Sequence, residues 1–315
     1  MRVKQRRGGV VEAEHEVSGA LVRDDGRVLE RFGDLDAPVT WRSAAKPFQL
    51  EVSLPLTGQR WTDEEIAVGA SSHWGEAAHV AVVDQILARC GCGAEHLYCG
   101  ADWPGHPAAR TAALRETDSP RAVWNNCSGK HAFMAGACRA QSWPADYRDP
   151  DHPLQVEIRA NLVQRTGHPE QHVVDGCGLP CFVQPIPALG QAWATLASAV
   201  RDGGSLLGRI GGAMTAHARL AGGEHALDTV TMQRATQPVV AKVGAEGLIC
   251  VAIPAQRVAV VIKVWTGNDT ARAVALGAAL ARWFPGLVPL DAYERQAELK
   301  NVVGRVVGRR SAEWV

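Results

Sequence analysis

Two kinds of hydrophobic periodicity divide the chain. From His15 to Gly33 two partly alternating stretches meet at Asp25-Gly26, a dipeptide suited to the positive φ angles of a tight hairpin, so strands are predicted near 16–24 and 27–33. The middle changes to helical spacing. Thr62-x-x-Glu65 forms a capping box ahead of a short apolar run, and Val80, Val83, Ile86 and Leu87 share one face within Glu76–Cys90. Further helical patterns cover about 128–141, 153–166, 188–201, 204–221 and 228–236. β-branched runs return at Gly247–Ile253 and Arg257–Trp265, split by Pro254-Ala255-Gln256 as in a hairpin, and Asp269 is placed to cap a helix reaching about Trp283.

Strands at both ends with helices between them predict an α/β (α+β) fold in a single domain. One sheet is built from about 1–50 and 237–315, and a helical subdomain of about 51–236 is inserted beside it. No long Ser/Gly/Pro linker, low-complexity tract or repeat interrupts the chain, and the Gly-rich pieces at 202–212 and 221–223 read as turns between helices.

Composition narrows the functional classes. With 46% apolar residues, 315 residues bury a sizeable core. Thirty-three basic and thirty-three acidic residues cancel, which disfavours a nucleic-acid or membrane-surface protein. The start runs into Glu12, Glu14, His15 and Glu16 instead of the apolar stretch of a secretory signal, and no apolar run approaches a membrane span, so a soluble, cytoplasmic protein is expected. Eight dilute cysteines then read as reduced thiols or metal ligands. Only six of the basic residues are Lys, which unlike Arg can lose its proton and serve as a base.

Five segments carry candidate chemistry. In Arg42-Ser43-Ala44-Ala45-Lys46 a serine and a lysine one turn later share a face, so the amine can reach the hydroxyl. Pro47 is compatible with a helix here only in its first turn. Ser72, His73 and Glu76 form either a polar substrate cluster or a helix cap. Asn125-Asn126-Cys127-Ser128-Gly129-Lys130-His131 packs amide, thiol, hydroxyl and amine into one helix start; Trp124 and His131 replace the first Gly and the Ser/Thr of a P-loop, which excludes nucleotide binding on that motif. Asp175-Gly176-Cys177-Gly178-Leu179-Pro180-Cys181 holds two thiols in a tight turn, either inert or metal-binding, without a second pair for a closed Cys₄ site. Ala241-Lys242 to Glu246-Gly247 reads as a Gly-flanked loop leading into a strand.

In order and in kind, these five segments resemble the Rhizobium-type bacterial L-asparaginase family, asparaginase II, across about residues 40 to 250. The resemblance implies a serine β-lactamase/glutaminase-like fold and hydrolysis of L-asparagine to L-aspartate and ammonia. It implies two Ser–Lys tandems, Ser43–Lys46 and Ser72–Lys242, with Arg42, His73, Glu76, Asn126 and Glu246 at the substrate. It further implies a labile Zn²⁺ on Cys127, Lys130 and Cys177, and a homodimer. Three features depart from the pattern or leave it ambiguous: Ala13 stands where the family has a serine before His15, Ser71 adjoins Ser72, and Lys263 competes with Lys242 for the second tandem. The rival functions are a glutaminase or other amidohydrolase on the same scaffold, and a non-catalytic amino-acid or zinc sensor.

Overall fold

The structure, a computed structural model, describes residues 1–168 and 171–315. Its strands are β1 (Arg2–Arg7), β2 (Val10–Arg23), β3 (Val28–Phe32), β4 (Val39–Thr40), β5 (Gln171–Val174), β6 (Pro180–Gln184), β7 (Val240–Gly244), β8 (Leu248–Ile253), β9 (Val258–Val264), β10 (Glu298–Lys300) and β11 (Val306–Glu313). The helices are α1 (Lys46–Leu56), α2 (Asp63–Gly69), α3 (Ala77–Arg89), α4 (Pro107–Glu116), α5 (Ser128–Gln141), α6 (Pro153–Thr166), α7 (Ile186–Asp202), α8 (Leu206–Ala216), α9 (Ala218–Ala221), α10 (Leu227–Arg234), α11 (Asp269–Trp283) and α12 (Glu294–Ala297).

The main sheet is antiparallel in the order β10-β11-β1-β2-β9-β8-β7, with β3 also paired to β2. Chain ends thus meet in one sheet, the mixed α/β architecture that the pattern predicts. β8 and β9 read as continuous apolar runs because helices cover them: α7 packs on β2, β8 and β9, and α11 also packs on β8 and β9 as well as on β1 and β11. The Asp25-Gly26 hairpin forms, with Val22 opposite Val28 and Gly26 at φ 83°. So does the β8–β9 hairpin around Pro254–Gln256.

Most helices fall where the spacing puts them, and α5 and α6 match their predicted spans. The Thr62 box closes in both directions, with Glu65 N–H donating to Thr62 Oγ1 and Thr62 N–H donating to Glu65 Oε2. Four expectations change. The 204–221 helix breaks at His217 into α8 and α9. Asn268, and not Asp269, caps α11, through Ala271 N–H. β1, β10, β11 and the first half of β2 extend the sheet beyond the expected strands, since their exposed positions lack apolar alternation. A second sheet, β4-β6-β5, lies within and beside the region expected to be helical.

Close packing of α2 against α5 brings distant segments into register. A Cβ at Gly129 would collide with the carbonyl oxygen of Val68, so glycine lets the start of α5 press on the end of α2. Ser71 and Ser72, which follow α2, are thereby set beside Asn126 and Lys46.

Candidate active site

Ser43 lies in a short 3₁₀ turn, Arg42–Ala45, that runs directly into α1. Pro47 falls in the first turn of that helix, where its missing N–H costs nothing. Arg42 adopts φ 45°, a left-handed conformation that a non-glycine residue holds only when its surroundings impose it. Two such clamps act here: Arg42 Nε donates to Asp175 Oδ1 at 2.6 Å, and Arg42 N–H donates to Cys181 Sγ at 3.4 Å. Across the cleft, Glu246 sits at φ 59° in the β7–β8 turn, its carboxylate 3.9 Å from the Arg42 guanidinium.

Lys46 is fully buried, and its Nζ donates to Ser71 O at 2.5 Å, Ser72 Oγ at 2.9 Å and Asn126 O at 3.2 Å. Burial lowers its pKa to about 8; the charges of Lys130 and Lys242 push the same way and the Cys127 and Cys177 sulfurs oppose them. Two of the three partners are carbonyls, which only accept. The third is a hydroxyl, so of these three only Ser72 has a proton to offer a neutral Lys46.

The serine ambiguity resolves: Ser71 Oγ donates to Val68 O at 2.7 Å and finishes α2, while Ser72 lines the cleft with Ser43. Lys242 requires a correction. It lies on β7 and not in a loop, and its buried amine donates to Asp228 Oδ2 at 3.0 Å and to Val243 O. Lys263 donates to the carbonyls of Glu246 and Val264. Among the described residues no hydrogen bond joins either lysine to Ser72, or Lys46 to Ser43. Lys242 carries one of the charges that lower the Lys46 pKa. Its partner Asp228 escaped the sequence reading because an acid in Leu-Asp-Thr-Val-Thr looks like an ordinary first-turn residue of α10.

A second cluster adjoins Ser43. The neighbouring Cys177 sulfur draws the Cys127 thiol well down, with Lys46 and Lys130 adding to it, and Cys127 in turn pushes Cys177 up, whose own thiol donates to Asp175 Oδ2 at 3.7 Å. Burial opposes the charge on Lys130, yet the Cys177 and Cys127 sulfurs and Asp175 hold its pKa above the ordinary lysine value. Burial likewise raises Asp175, and Lys130 and Arg42 more than reverse it. Cys127 Sγ lies 3.0 Å from Asn126 Oδ1. Asp175, part of the turn motif but not foreseen as a site residue, ties this cluster to Arg42. No group of three His, Cys, Asp or Glu side chains among the described residues is placed to hold a metal.

His73 and Glu76 lie behind the cleft, not in it. Gly75 N–H donates to His73 Nδ1, which leaves Nε2–H for Ser128 Oγ at 2.8 Å; burial keeps this ring neutral, stacked on His79. Glu76 is the N-cap residue of α3. Neither lines the cleft, although Trp74 between them does. Asn126 and Glu246 do line it. A separate apolar groove between α11 and β11 holds none of the candidate residues.

The model of the L-asparaginase II family matches residues 3–312. The chain belongs to the L-asparaginase II family. It is therefore an asparaginase-type amidohydrolase, acting on a small molecule. Among solved structures it is similar to a β-lactamase from Mycobacterium bovis, at 13% identity over 84% of this chain and 94% of that one, with a TM-score of 0.42. No curated protein matches it. Among the described residues no helix is long and apolar enough to cross a membrane.

Proposed function

We propose that this asparaginase II family member hydrolyses L-asparagine to L-aspartate and ammonia through an acyl-enzyme on Ser43. The observation that carries this reading is the buried Lys46–Ser72 pair at 2.9 Å, set on the wall of a cleft that also contains Ser43. Ser43 attacks the side-chain carbonyl while its proton passes through Ser72 to neutral Lys46. The same pair returns a proton to the leaving nitrogen, and water then releases aspartate. Base catalysis of this kind contributes about 10²–10⁴-fold. The backbone N–H of Ser43 stabilises the oxyanion. Strain at Arg42 fixes the direction of Ser43, and Arg42 and Asn126 face the zwitterionic end of the substrate, while Glu246 lines the cavity on the other side of Ser43.

Ser43, not Ser72, is assigned the acyl group because it borders both cavities of the cleft, whereas Ser72 borders one. The geometry of Lys46 favours a second reading in which Ser72 itself attacks. Quenching a reaction with the β-hydroxamate of L-aspartate and mapping the acylated peptide by mass spectrometry separates them: mass on Ser43 supports the assignment, and mass on Ser72 reverses it.

Cys127, Cys177 and Lys130 suit a zinc ion by their chemistry, two sulfurs and an amine whose charges shift one another's protonation. Bound there, zinc would supply a Lewis acid beside Asp175 and Arg42. The protein's own residues at that end orient the substrate's amino and carboxylate groups. A homodimer in the cytoplasm completes the proposal.

A further inference from the structure

Two cavities meet at Ser43. The smaller, about 230 Å³, is lined by Arg42, Asp175, Cys127 and Cys177, and the larger, about 420 Å³, by Ser72, Trp74, Glu246, Asp269 and Arg272; Ser43, Asn126 and Ala245 border both. The second is of a size that holds a small molecule. Ammonia is about the size of water, which takes about 30 Å³ in the liquid, so its departure leaves most of that space without a task. The proton for the leaving nitrogen comes from the Lys46–Ser72 pair, and Ser72 stands in the larger cavity. The leaving nitrogen must face that side, with the acyl part toward Arg42 and Asp175.

We propose that the larger cavity is a leaving-group subsite, and that the enzyme also hydrolyses N4-substituted L-asparagines whose amine carries a second, cationic group. This rests on the amidohydrolase reading above. The preference for a cation follows from which charges reach the opening. The nearby cations are all engaged, Arg272 on Gly244 O, Leu248 O and Asp269, Lys263 on the carbonyls of Glu246 and Val264, Lys242 on Asp228, and Arg42 on Asp175 with its guanidinium 3.9 Å from Glu246. The side chains that project are carboxylates, with Glu246 68% and Asp269 74% exposed. Half-buried Trp74 adds an aromatic wall that favours a cation or an alkyl chain.

The step balances as a hydrolysis. Ser43 Oγ bonds to the side-chain carbonyl carbon and the C–N bond breaks. The nitrogen takes a proton through Ser72 and leaves as the free amine, and one water cleaves the ester to give L-aspartate and restore the hydroxyl. Nothing is oxidised or reduced.

The test measures L-aspartate, the product common to all substrates, from the purified full chain with L-asparagine and its N4-(2-aminoethyl), N4-ethyl and N4-carboxymethyl derivatives. The expected result is turnover of the aminoethyl compound with kcat/KM about tenfold above the carboxymethyl compound, and a loss of about fivefold in the aminoethyl-to-ethyl ratio in Glu246→Gln/Asp269→Asn, the size expected of exposed charge pairs. Aspartate from L-asparagine but from none of the derivatives overturns the subsite and leaves the amidohydrolase reading standing. Preference for the carboxymethyl compound overturns the charge assignment. No aspartate from any compound removes both readings together.

Discussion

Lys46 Nζ lies 2.9 Å from Ser72 Oγ, and every other hydrogen bond that it makes goes to a backbone carbonyl. In the proposed mechanism its task as a base therefore runs through Ser72 and requires loss of its own proton. Burial sets that loss at about pH 8, so the neutral form is scarce below this pH and dominant above it. We expect kcat/KM for asparagine to rise with pH along a limb centred near that value, and Lys46→Met to cost about 10²–10⁴-fold. A flat pH profile across this range contradicts the role of Lys46.

Ser71 and Ser72 are neighbours with different duties. Ser72→Ala removes the only partner among the described residues from which Lys46 can take a proton, and kcat should fall by about 10²–10⁴-fold with little change in KM. Ser71→Ala deletes one hydrogen bond at the end of α2, costing about 1 kcal/mol in chemical denaturation and leaving kcat within a few-fold.

Asp228 and Lys242 form a fully buried ion pair beneath the cleft. Asp228→Ala strands a cation in the core and should cost about 3–5 kcal/mol of stability, measured by urea unfolding. Asp228→Leu/Lys242→Met removes both charges and should recover most of that loss. Equal destabilisation in the double variant contradicts the pairing.

Zinc binding at Cys127, Lys130 and Cys177 requires protons to leave first. The pKa values of Lys130 and Cys177 are both raised, so affinity should strengthen steadily as pH rises, with proton release visible by calorimetry in buffers of different ionisation enthalpy. Cys127→Ser and Cys177→Ser should each weaken binding severely, whereas Cys250→Ser, buried in β8 away from the cluster, should not.

The interior of this protein is legible where pattern is strong. Apolar runs marked β8 and β9, capping residues marked α2, and the Ser43-to-Gln49 and Asn125-to-His131 segments marked two walls of the cleft. Half-buried strands such as β1 and β11 are rich in charged residues and carry no apolar alternation, so nothing local distinguished them from loops. At the site, chemistry was legible but partnership was not. Lys242 and Ser72 both proved to be near the cleft, yet the sheet that carries Lys242 also delivers its amine to Asp228, a pairing set by the contact of α10 with β7. His73 is polar and close in sequence to Ser72, but Gly75 turns the chain at φ 67° and directs the ring into the core.

The most direct test of the central claim is release of ammonia from L-asparagine and from L-glutamine by the wild type and by Ser43→Ala, with and without a zinc chelator. The account predicts release from asparagine that disappears in Ser43→Ala. Undiminished release in that variant, or release from glutamine alone, contradicts it.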